Sequence, residues 1–186
     1  MGSHFSNQDL NKLFKNYKKK ILTILTLLSV LSIFNLYATE NPSTDIDSNG
    51  SIVTVWQENT SLGVEIKASA LPSGSPSWEV PVILSSSTIA SRPIVVVTAN
   101  GLDTFAAAIW VESVGGTTQL YGAMRPSLAG SWTSSVQISN GIEDLLGNYE
   151  LNMNSAGNIV ATWISLEAGN TNVRSSNTII NVGNIW

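Results

Sequence analysis

Apolar residues are distributed along this chain in two different ways. From Ile21 to about Tyr37 they run almost unbroken (ILTILTLLSVLSIFNLY), whereas beyond residue 50 they come in short bursts that alternate with polar residues. The first pattern approaches the ~20 residues of a membrane-spanning helix. The second suits strands that bury one face. Lys12, Lys15, Lys18, Lys19 and Lys20 precede the apolar run, and Ala38 followed by a polar stretch succeeds it. A basic start, an apolar middle and a small residue before polar sequence is the layout of a secretory signal. The lysines hold the N-terminus on the cytoplasmic side while the apolar helix enters the membrane. An uncleaved anchor helix is the alternative, because Leu36 fits poorly where a small residue usually precedes the cut. Either reading exports residues 39–186, to the periplasm, the cell surface or the medium, and confines membrane contact to residues 21–38.

The bursts beyond residue 50 repeat. Trp56, Trp110 and Trp163 are spaced 54 and 53 apart, and Trp78, Trp132 and Trp186 are spaced 54 and 54. A fixed period in so rare a residue marks a repeat protein. Each unit opens on a turn (Ser48-Asn49-Gly50, Ala99-Asn100-Gly101, Ser155-Ala156-Gly157) and continues into a strand that reaches the first Trp (SIVTVWQ, TFAAAIWV, NIVATWI). A glycine turn and a second strand follow (VEIKASA, TQLYGAM, TNVRSSN), then a loop with the second Trp, a short third strand and a fourth (RPIVVVT, NYELNMN). Short strands with turn signals at this spacing predict an all-β fold. The period predicts four-stranded β-propeller-like blades, about two and a half of them. The expected organisation is a signal or anchor helix over 1–38, a linker over 39–47, and repeats over 48–97, 98–152 and, in part, 153–186. The tryptophans are read as packing between neighbouring blades, whose sheets cannot bury both faces alone.

The phrases DSNGSIVTVWQENTSLGVEIKASA, GSPSWEVPVILSSS, SRPIVVVTANG and NSAGNIVATW resemble a repeat of secreted bacterial β-propeller proteins. Its form is roughly D-x-x-G-N-A-x-A-V-W, a glycine turn, I-x-A, then W-x-x-P-x-x-I-S and P-x-V. The resemblance covers about residues 46–186 and implies a fold and a surface location, with no catalytic motif to carry over. Copy two departs from it at Ser135, where copy one has Pro81. A closed ring needs at least about four blades. Two readings follow: part of a longer propeller, or chains that self-associate through open sheet edges to complete one.

Charge and chemistry narrow the function. Only 12% of residues are charged, and no cysteine is present, which removes disulfides, thiolate nucleophiles and zinc–thiolate sites. Beyond Ala38, Lys67, Arg92, Arg125 and Arg174 stand against twelve acids, a net −8, and this excludes the clustered cations that nucleic-acid binding needs. The single histidine, His4, precedes the apolar run, so the exported part has no histidine for triads, metal sites or general bases. Glycosidases need only two converging carboxyls, about 5–9 Å apart; the adjacent Glu143 and Asp144 are the obvious pair but read as a solvated loop. The sialidase Asp-box is not matched, since Ser73, Ser127 and Asn181 stand where its Asp would. Asp45-x-Asp47-x-Asn49-Gly50 matches the front half of a calcium loop without a closing acid, and an ordinary Asx/Gly turn selects the same residues. Eleven residues after the first Trp the copies read Lys67, Tyr121 and Arg174, a large polar position that reads as ligand-contacting or simply as a solvated sheet face. The reading is an exported, non-catalytic binding or scaffolding module for a glycan or protein partner at the cell surface, with no cofactor unless calcium. The alternative is a carbohydrate-active enzyme that uses loop carboxylates.

Overall fold

The computed structural model describes residues 39–87 and 89–180; the signal or anchor segment, His4 and Trp186 lie outside them. The described residues form eleven strands in three antiparallel sheets, each a simple meander. Sheet A contains β1 (Thr39–Ile46), β2 (Ile52–Thr60), β3 (Gly63–Leu71) and β4 (Val82–Ile83). Sheet B contains β5 (Ala90–Asn100), β6 (Asp103–Val114), β7 (Thr117–Arg125) and β8 (Val136–Gln137). Sheet C contains β9 (Asp144–Met153), β10 (Asn158–Glu167) and β11 (Asn170–Ile179). Local chemistry sets these elements. In β2 alternate residues Val53, Val55 and Gln57 are buried. The β6–β7 hairpin closes on Gly115 and Gly116, both at positive φ (61° and 88°), the pair of left-handed residues a tight two-residue turn requires.

Two boundaries differ from the sequence reading. Residues 39–47, expected as a linker, are β1 as far as Ile46, paired with β2 from Thr39↔Glu58 to Ile46↔Ile52. This strand is mostly exposed and lacks an apolar alternation, so it left no periodic signal. The strand that closes each sequence unit also hydrogen-bonds forward, β5 to β6 and β9 to β10. The sheets are therefore cut one strand earlier than 48–97, 98–152 and 153–186. A period fixes length, not phase; the short turn at Gly101-Leu102 makes β5 and β6 a hairpin, while six residues separate β4 from β5.

The sheets stack through two apolar cores. Val53, Val55, Ile66, Ala68 and Ala70 of sheet A meet Val95, Val97, Ala106, Ala108 and Trp110 of sheet B. The other side of sheet B, with Ala107, Ile109, Leu120 and Met124, meets Leu151, Ile159, Ala161 and Trp163 of sheet C. Trp110 and Trp163 thus occupy the same place in successive interfaces, at 0% and 5% exposure. Trp56 is half-buried, Trp132 packs at the margin of the first core, and Trp78 is exposed. Along one side of the stack, β1 packs on β5 and β5 on β9. The Ser43 hydroxyl and the Asp45 carboxylate accept the Val95 and Val97 amides there at 3.2 and 2.8 Å.

Candidate functional site

Lys67, Tyr121 and Arg174 each stand on the third strand of their sheet or its equivalent, directly across the ladder from the first tryptophan: Trp56↔Lys67, Trp110↔Tyr121 and Trp163↔Arg174. Each is already engaged with its neighbours. Lys67 Nζ is 2.6 Å from Glu58, and this bond holds the Glu58 carboxyl below its usual range against the opposing effect of burial. The Tyr121 hydroxyl donates to Gln137 at 3.3 Å; burial, and then the charge of Glu112, push its phenol up. Arg174 pairs with Glu167 and with Glu143.

Beside these residues a carboxylate receives each indole N–H. Trp56 donates to Glu58 at 3.1 Å and Trp110 to Glu112 at 2.8 Å, both two residues further along the same strand. In sheet C that strand position is Ser165, and Trp163 donates instead to Glu143 from the preceding loop, at 3.1 Å. Glu112 also accepts the Ser86 amide at 3.1 Å, and Glu143 the equivalent Asn140 amide at 2.9 Å. Two different chain positions therefore fill one cradle. This corrects the solvated-loop expectation: Glu143 is 1% exposed, because it replaces a strand glutamate that sheet C lacks. Its second oxygen has no hydrogen bond and faces Arg174 Nε at 3.3 Å. Asp144 accepts the Thr118 amide at 2.7 Å.

The residues of the half-calcium loop are partly spent on joining sheets. Asp47 Oδ1 accepts the Asn49 and Ser51 amides at 2.9 Å each, and Oδ2 accepts the Thr104 hydroxyl of sheet B at 2.5 Å. Asn49 Nδ2 donates across to the Gly101 carbonyl at 2.8 Å. Asp45 gives one oxygen to the Ile46 amide and the other to Val97. The turn Asn154–Asn158 repeats the local part of this pattern, with Asn154 Oδ1 accepting the Ala156 and Asn158 amides at 3.0 Å. Among the described residues no cluster of three or more His, Asp or Glu side chains is arranged to hold a metal.

A different site arises on the first strands. Each carries a bulge: Asn41-Pro42 between Glu40↔Gln57 and Ser43↔Val55, Arg92-Pro93 between Ser91↔Val111 and Ile94↔Ile109, and Leu146–Asn148 between Leu145↔Ser165 and Tyr149↔Trp163. Proline cannot donate to a ladder, which is why it settles at bulges. The packing of β1, β5 and β9 gathers all three bulges around one open pocket of about 530 Å³, lined by Asn41, Arg92, Asn148, Tyr149 and Glu150 among others. Each bulge has one residue in the left-handed region, Asn41 (φ 49°), Arg92 (φ 53°) and Gly147 (φ 104°). Glycine and asparagine adopt it readily, whereas for arginine it costs about 1 kcal/mol. Tyr149 secures the arrangement: its hydroxyl donates to the Arg92 carbonyl, and the Arg92 guanidinium lies 5.5 Å from its ring centroid. Burial pushes the Tyr149 phenol far above its usual range, opposed by the charge of Arg92, so it remains a hydrogen-bond donor. Arg92 Nη1 then donates to the Gly147 carbonyl at 2.7 Å, tying the second bulge to the third. Lys67, Tyr121 and Arg174 do not line this pocket. The sequence reading missed it; the signal it offered was a proline inside a strand-like run at Arg92-Pro93, while Asn41-Pro42 lay in a stretch read as a linker.

No family model and no curated protein matches the chain. Among solved structures it is similar to the GH43 endo-arabinanase from Bacillus licheniformis, at 11% identity and a TM-score of 0.40, over 77% of this chain and 55% of that one. The chain thus spans about half the length of that enzyme.

Proposed function

We propose that this chain is an exported, non-catalytic binding module built of β-propeller-type repeats, and that it holds a glycan in the pocket formed by its three bulges. Meander sheets stacked face to face, with their first strands side by side, support the propeller-type reading. The observation that carries the function is the gathering of three non-adjacent bulges on one concave, polar surface. Its volume is in the range of small-ligand sites. Amide, guanidinium and carboxylate groups line it, and these pair readily with sugar hydroxyls. Non-catalytic binding is favoured because Glu150 is the one carboxylate lining the pocket among the described residues, while Glu143 and Asp144 are engaged in hydrogen bonds within the fold. Export rests on the basic and apolar pattern of residues 12–38.

A glycan array probed with the full chain tests this reading. Binding to a defined saccharide class is expected, falling about tenfold in Asn148→Ala through loss of the amide's hydrogen bonds, with no reducing sugar released. Release of reducing sugar would replace binding with turnover. Binding unchanged in Asn148→Ala would move the site elsewhere.

A further inference from the structure

We infer that Arg92 makes this pocket selective for a glycan that carries a carboxylate, a uronic acid; the inference rests on the glycan reading above. Four basic residues lie beyond Ala38. Three are paired with acids: Lys67 with Glu58, Arg125 with Glu79, and Arg174 with Glu143 and Glu167. Arg92 is the one without a carboxylate partner among the described residues, and it is exposed at the pocket. It is nevertheless held in place. Nη1 is bonded to the Gly147 carbonyl and the guanidinium lies over Tyr149, whose hydroxyl is bonded to the Arg92 backbone. Among the described residues Nε and Nη2 make no hydrogen bond, which leaves a planar two-donor edge of the shape that takes a carboxylate through parallel bonds.

The backbone points the same way. At equivalent bulges the left-handed position is filled by asparagine and glycine, which adopt it easily, and only here by arginine. A side chain kept where its backbone is disfavoured is a reason to look for its use. The remaining lining gives the ligand a direction. Glu150 carries the pocket's negative charge, so it repels a carboxylate and accepts hydroxyls. An acidic sugar is therefore oriented with its carboxylate toward Arg92 and its hydroxyls toward Glu150 and Asn148.

Calorimetry of the full chain with trigalacturonate, galactotriose and triglutamate tests this. Trigalacturonate is expected to bind at least tenfold more tightly than galactotriose, and triglutamate more weakly than trigalacturonate. Arg92→Gly loses the bond to Gly147 but places glycine at a φ it favours; the two offset, so it is expected to shift the thermal midpoint little and to reduce trigalacturonate to the affinity of galactotriose. Arg92→Lys keeps the charge without the fork and is expected to lose most of the preference. Equal wild-type affinity for both sugars would overturn the carboxylate inference and leave the glycan pocket standing. Triglutamate binding as tightly as trigalacturonate would overturn the sugar and assign the pocket to acidic peptides. Full discrimination retained in Arg92→Gly would place the carboxylate elsewhere. An absence of binding to all three would overturn this inference, and the array distinguishes that outcome from failure of the glycan reading.

Discussion

Lys67 and Glu58 show how a large polar residue at a regular repeat position is engaged within the chain. From sequence, the series Lys67, Tyr121 and Arg174 was open to a ligand-contacting role; in the fold each finds its partner within the chain. Glu58 is held in its charged form chiefly by the Lys67 bond, so the pair adds stability above the ordinary range of a glutamate. That contribution is lost as pH falls through the lowered value. The two side chains are each 21% exposed, so solvent limits the pair to about 0.5–1 kcal/mol. Thermal unfolding of wild type and Lys67→Met from pH 7 to pH 3 is expected to show a small gap at neutral pH that closes on the acid side. A gap that widened toward acid would contradict this assignment. Arg92 is the converse case: nothing in its spacing set it apart, and its importance appears only when three distant bulges are brought together.

Strands covered on one face were legible because burial alternates along them, as in β2, whereas β6, buried on both faces from Ala106 to Glu112, was legible as an apolar run. Val53, Val55 and Gln57 share one face and Thr54 and Trp56 the other. β1 was not legible, since its pairing rests on ladder bonds and polar contacts such as Thr44 with Thr54. Glu143 escaped for a related reason. Its role is defined by the absence of a glutamate at Ser165, and only the fold places those two positions together. Glu143→Ala is expected to cost about 2–4 kcal/mol, because it leaves the Trp163 indole and the Asn140 amide unpaired. Adding Ser165→Glu restores the arrangement of Glu58 and Glu112 and is expected to recover at least half of that loss. Ser165→Glu alone crowds two carboxylates into one cradle and is expected to destabilise. Chemical denaturation of the four proteins closes the cycle; strictly additive effects would refute the shared cradle.

At the scale of the molecule, the tryptophan period announced stacked sheets, and two buried tryptophans occupy matching places in the two interfaces. The phase of the units stayed hidden, because a period carries no information about which strand hydrogen-bonds forward. The pocket was hidden for the same reason. It is assembled from the first strand of each sheet, and those strands are about fifty residues apart in sequence. On the proposed reading the ligand binds at this seam of first strands. Amide chemical-shift mapping of the full chain titrated with galactotriose and trigalacturonate tests it most directly. Perturbations are expected to be confined to 41–43, 92–94 and 147–150, with the rest of each sheet unmoved. Perturbations centred on Lys67, Tyr121 and Arg174, or on the exposed stretch Trp78–Ile83, would contradict it.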